Sequence, residues 1–97
     1  MDAFLVLARF FKTIETDYRV RNIHIAVFTA LLVRHAGDGF TNPLMVYSCE
    51  MLKVLKITKA STYCKCLSEL NEYGYVKYEP SFKKNLRSKI YFPNVSA

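Results

Sequence analysis

An α+β fold, with helices first and a small sheet last, is what this 97-residue sequence predicts, and three observations lead there. Apolar residues recur at helical spacing over residues 2–15, 23–36 and 59–73, with a shorter segment of the same kind at 48–55. After Gly74 the period changes to two: Tyr75-Val76-Lys77-Tyr78-Glu79 and Lys89-Ile90-Tyr91-Phe92 alternate, and Pro80 and Pro93 stop them. Hydrophobic residues make up 52% of the chain, with seven Phe and seven Tyr, enough for one core without disulfide or metal staples. The length accommodates a single domain over 1–97, read as an N-terminal helix at 1–16, a core at 20–92 and a tail at 93–97.

The first helix opens on Asp2 and places Phe4, Leu7, Phe11 and Ile14 at alternating spacings of three and four, a narrow apolar seam. Leu5, Val6 and Phe10 fall off it. Two readings are open: the helix completes the monomer's own core, or it packs on a second copy as a homodimer through Phe4, Leu7, Phe11 and Ile14. Residues 16–22 are polar enough to be a connection, with Asn22 placed to cap the second helix. From Ile23 to Ala36, a face of Ile23, Val27, Ala30, Leu31 and the stem of Arg34 is widened by Ala26, Phe28 and Leu32. This is expected to be the most buried helix. Gly37-Asp38-Gly39 ends it, and Asn42-Pro43 turns the chain. His24 and His35, at opposite ends, read as a surface histidine and a helix-end histidine. Leu44-Met45-Val46-Tyr47 is too short for a helix of its own, and Ser48 is positioned to cap residues 48–55, with Glu50 in the first turn.

The chain is organised around Lys59 to Tyr73, KASTYCKCLSELNEY. Ala60, Tyr63, Leu67 and Leu70 form its apolar stripe. At about 100° per residue the opposite side carries Thr58, Ser61, Thr62, Lys65, Glu69 and Glu72, donors near the start and acids near the end. Such a gradient suits a helix whose first half approaches an anion. Short helix, turn, longer helix, stopping glycine and strand are carried by Ser48, Glu50, Leu55, Ile57, Thr58, Thr62, Tyr63, Leu67, Leu70, Gly74, Tyr75 and Val76. Together they resemble the winged helix-turn-helix family of DNA-binding domains, in its small bacterial transcriptional-regulator form. The resemblance implies a three-helix core, a two- to three-stranded wing sheet and an extra N-terminal helix. It also implies that residues 44–47 form a strand pairing with the later strand of the wing. One position departs from the pattern. The turn between the paired helices often holds glycine, and Lys56 stands there, which predicts a turn wider than the compact form.

Charge points the same way. The net charge is +6, and residues 49–97 hold nine bases against four acids. The connection 81–88 and the residue after it carry Lys83, Lys84, Arg87 and Lys89 without an acid. The resemblance then implies sequence-specific binding of double-stranded DNA, in a transcriptional regulator, with the 59–73 helix entering the major groove by its first two turns. In that arrangement Thr58, Ser61, Thr62 and Lys65 face bases or nearby phosphates, and Lys59 and the Ser48 end of the preceding helix grip the backbone. Lys83, Lys84, Arg87 and Lys89 hold the flanking strand. Beside it stand a winged-helix module that docks a protein through its aromatic surface, and a DNA-binding accessory factor of a plasmid or mobile element.

Other classes have little to rest on. Cys49, Cys64 and Cys66 follow no disulfide framework, and a reduced cytoplasmic setting is the simplest expectation. Cys64 and Cys66, two apart on a helix, point roughly 200° from each other and cannot share an ion, so no metal or other cofactor is expected. There is no Gly-rich phosphate loop and no Ser, His and Asp combination on a plausible scaffold, which speaks against an enzyme. Arg9 interrupts the apolar start that a signal peptide would need, and no stretch approaches the ~20 apolar residues of a membrane span.

Overall fold

The apolar positions of residues 22–37 run most of the way round the helix they form, and that helix becomes the centre of the domain. A computed structural model describes residues 3–37, 39, 44–79 and 88–92, with the backbone alone at residue 48. In order these form α1 (Ala3–Ile14), α2 (Asn22–Gly37), β1 (Leu44–Val46), α3 (Ser48–Leu55), α4 (Ala60–Glu72), β2 (Lys77–Glu79) and β3 (Ser88–Tyr91). The Asn42-Pro43 turn, Asp38, the cations Lys83, Lys84 and Arg87, and the tail 93–97 lie outside the described residues. No described helix is long and apolar enough to cross a membrane.

α2 packs against α1, α3 and α4. It buries Val27, Phe28, Leu31 and Leu32, and both histidines: His24, expected at the surface, is 1% exposed, and His35, in the last turn of the helix as expected, 0%. His35 stacks on Phe92 at 4.8 Å between ring centres. His24 Nδ1 accepts the backbone N–H of Arg21 at 2.8 Å, the reach-back bond of a capping box, which leaves the proton on Nε2. Arg21, whose carbonyl accepts the N–H of Ile25, therefore holds the cap position that Asn22 was expected to take, and Asn22 is the first helical residue.

α1 docks on a face different from the seam read in the sequence. Val6 and Phe10 are buried, while Phe4, Leu5 and Phe11 are exposed and Leu7 and Ile14 only partly covered by the chain's own core. Phe10 is the residue that aromatic packing selects: its ring stacks on Phe28 at 3.9 Å and meets Tyr75 edge-on at 5.2 Å.

The sheet is antiparallel in the order β1-β3-β2, so the short first strand does pair with the last one. Leu44, Val46, Ser88 and Ile90 turn inward, followed by buried Phe92, and Met45 and Lys89 turn outward. Asn71 Oδ1 accepts the N–H of Tyr78 at 3.0 Å and ties the end of α4 to β2.

Both paired helices stop on a left-handed residue. At the end of α4, Gly74 (φ 90°) lets its own N–H reach the Asn71 carbonyl and that of Tyr75 the Leu70 carbonyl, a full Schellman motif. At the end of α3, Lys56 takes φ 60°, ψ 34°, and both its N–H and that of Ile57 reach the Leu52 carbonyl. The turn is therefore compact, not widened. Leu52 and Ile57, at the positions whose hydrophobic side chains usually accompany this stop, both pack against the core. A side chain at positive φ costs about 1–2 kcal/mol, partly offset because glycine has more freedom to lose on folding. Lys56→Gly is accordingly expected to stabilise the domain by about 0.5–1 kcal/mol and raise the thermal midpoint by about 3–6 °C. A melting curve no higher than the parent's would refute the strain.

α3 itself begins at Ser48, with Tyr47 (φ −89°, ψ 136°) at the cap position expected for Ser48. Arg34 on α2 pairs with Glu50 at 3.1 Å, an exposed contact worth little alone that nonetheless marks the register of α3 on α2.

Candidate nucleic-acid interface

α4 buries Tyr63, Cys66, Leu67 and Leu70. Ala60, expected in the same stripe, is exposed, so the buried stripe starts one turn later and the first turn of α4 stands clear of the core. Thr58, Lys59, Ser61, Thr62 and Lys65 are all exposed, and the structure brings these five together on one end of one element. Lys59 occupies the cap position in extended geometry, φ −110° and ψ 122°, and no side chain caps the helix. Among the described residues its first amides thus keep no side-chain partner, and no acid in the first turn opposes the positive end of the helix dipole.

The charge around this end is one-sided. Between Glu50 and Glu69 the chain carries Lys53, Lys56, Lys59 and Lys65 and no acid, and all four ammonium groups sit on exposed residues. The first acid after them, Glu69, is drawn toward α2: its Oε1 accepts from His24 Nε2 at 3.2 Å. A groove of about 270 Å³ runs between α4 and the start of α2, lined by Arg21, His24, Thr62, Lys65 and Glu69 among others. Arg21 thereby joins the cations beside α4. Nothing in the spacing of the sequence marks it, because packing of α2 on α4 brings it there. Lys53 and Lys56 were legible as cations in an acid-free run.

The remaining expected site residues are placed differently. Ser48 is the first residue of α3, and its side chain is outside the described residues, as are Lys83, Lys84 and Arg87. Lys89 is exposed on the outer face of the sheet, opposite Met45 on one side and Glu79 on the other. Glu79 also lies 3.9 Å from Lys77 Nζ, so Lys77 and Lys89 share one acid on the sheet's outer face.

The interior behind α4 is chemically quiet. Burial pushes the Cys66 thiol up to about 12, which keeps it protonated and unreactive at neutral pH. Burial also raises the Tyr63 phenol, whose hydroxyl has no hydrogen-bond partner among the described residues. Among the described residues no three His, Cys, Asp or Glu side chains converge as a metal site. No protein-family model, curated protein or solved structure significantly matches this chain.

Proposed function

We propose that the chain is a winged helix-turn-helix domain that binds duplex DNA through α4 and acts as a small transcriptional regulator, by binding and not by catalysis. The observation that carries this reading is the exposed Thr58 to Lys65 end of α4: uncapped, flanked by four lysines, and with its first acid engaged by His24. The element order supports it, with a short strand before α3, a tight α3–α4 turn, and an antiparallel pair after α4. An α-helix with its side chains is about 10–12 Å across and the major groove about 12 Å wide, so the first two turns of α4 can enter it. Ser61 and Thr62 then meet base edges, while Lys59 and Lys65, with Lys53, Lys56 and Arg21 behind them, reach phosphates. Hydroxyls discriminate bases loosely, so part of the selectivity rests on DNA shape. The β2–β3 connection, with Lys83, Lys84 and Arg87, adds cations for the flanking strand. The outer face of α1, with Phe4, Leu5 and Phe11, is the surface through which two copies would pair on a two-fold site.

The test is titration of a labelled mixed-sequence duplex at KCl from 50 to 200 mM. Binding is expected to weaken with a log–log slope of about −4 to −6, as counterions are released from that many phosphates. No binding at 50 mM, or a flat salt dependence, would overturn the proposal and leave a protein-docking module in its place.

A further inference from the structure

Near the C-terminal end of α4, α1, the 15–21 connection and the turn after α4 border an open cavity of about 590 Å³, within the range of small-molecule sites. Its base is apolar and aromatic: Val6, Phe10 and Phe28, the last two stacked. The rings of Tyr73 and Tyr75 form one wall, with Gly74 between them.

The polar groups at its mouth are unequally committed. Asp17 is saturated: Oδ1 accepts the Arg19 backbone N–H at 3.1 Å and its Nε–H at 2.9 Å. Oδ2 accepts from Arg19 Nη2 at 2.9 Å and from the Tyr75 hydroxyl at 2.6 Å. Those bonds, Arg19 first and Tyr75 second, hold the Asp17 carboxyl far below the usual carboxylate range. Burial and the same bond push the Tyr75 phenol up to about 12, so it remains a donor to Asp17. The knot joins the α1–α2 connection to the turn after α4 and leaves no carboxylate lone pair facing a ligand unmet. Arg19 also lies over the Tyr73 ring, 4.3 Å from its centre. Arg9, exposed on α1 at the lip, has no ion pair or side-chain hydrogen bond among the described residues. Two guanidinium groups against one fully engaged carboxylate leave the mouth positive above an aromatic base.

We propose that this cavity binds a small planar anion, an aromatic or heteroaromatic ring bearing a carboxylate, with the acid on Arg9 and the ring against the half-buried Tyr73 and Tyr75. Arg9 supplies the fork geometry that a carboxylate matches in two hydrogen bonds, and the half-buried Tyr73 and Tyr75 supply aromatic surface. The cavity shares no lining residue with the groove beside α4, and it can be tested without DNA.

The probe is 2-naphthoate, added to the ¹⁵N-labelled full chain and followed by amide shifts. The expected result is saturable movement of the Thr13, Gly74 and Tyr75 amides with a Kd of about 0.1–1 mM, the range that ligand efficiency allows for thirteen or so heavy atoms. Arg9→Gln is expected to weaken binding about fivefold, as loss of one exposed ion pair does. Lys12→Gln, which removes the same charge from the same helix outside the cavity, leaves it unchanged. Neutral 2-naphthamide binds the parent about as weakly as naphthoate binds Arg9→Gln. The proposal fails if those amides do not saturate, or if Lys12→Gln costs as much as Arg9→Gln. It fails equally if naphthamide or the cationic 2-naphthylmethylamine binds as tightly as naphthoate.

Discussion

Phe10→Ala is expected to cost about 3–5 kcal/mol, whereas Phe11→Ala, one residue on, costs under about 1 kcal/mol. Phe10 is 4% exposed, stacked on Phe28 and edge-on to Tyr75, so truncation leaves a hole at the junction of α1, α2 and the turn after α4. Phe11 is 44% exposed and loses little. Domains of this size carry about 5–15 kcal/mol in all, so the Phe10 change removes a large share of it. The thermal midpoint should fall by about 15–30 °C, against a few degrees for Phe11→Ala. Chemical denaturation of the two variants measures the difference, and equal losses would mean that α1 is rotated toward the Phe4, Leu7, Phe11 and Ile14 seam. Sedimentation of Phe11→Ala reads a second property of the same helix. If two copies pair through its outer face, this variant shifts to the monomer while its fold is kept, and an unchanged mass removes Phe11 from any such contact.

The face of α1 that meets the chain's own core is not the seam read in the sequence, for a physical reason. Residues 4, 5, 6, 7, 10, 11 and 14 of α1 are all apolar, so periodicity admits more than one face, and only the position of Phe28 and Tyr75 selects Phe10. α4 was legible because its polar and apolar sides are cleanly separated, and its end was legible because Gly74 meets a backbone requirement that few residues satisfy. Lys56 meets the same requirement against its own preference, because two backbone bonds to the Leu52 carbonyl and the packing of Leu52 and Ile57 on the core outweigh the local strain. Residue type alone predicted a wider turn and could not see that packing. His24 was misread for a related reason: its partner Glu69 is 45 residues away in the chain, and a histidine near a helix end looks exposed until that partner is placed. Thr58, Ser61, Thr62 and Lys65 came from one polar face at the start of α4 and were found together, with Lys59 at its cap. Arg21 needed the α2–α4 packing to join them.

If the chain binds DNA as proposed, the larger functional effect is expected at Lys59 and Lys65. Under counterion release each phosphate contact adds about 0.9 to the log–log salt slope and, extrapolated from 1 M, about 0.9 of a decade of affinity at 0.1 M salt. Lys59→Gln with Lys65→Gln therefore lowers affinity for mixed-sequence duplex by about two decades at 0.1 M and makes the slope shallower by about two. Both residues are exposed, so the fold should change by no more than about 0.5 kcal/mol, which a melting curve checks independently. The matched control is Lys12→Gln with Lys77→Gln, which removes the same net charge from α1 and β2 and is expected to cost less than about threefold. Equal losses from the two pairs would mean that overall charge draws the protein to DNA and that α4 has no privileged contact. A loss confined to the α4 pair, with the slope reduced in step, ties binding to the uncapped end of that helix. The hydroxyls come next: Thr62→Ala beside intact lysines should leave the salt slope alone and narrow the gap between preferred and random duplexes, because a residue that meets base edges governs choice and not charge.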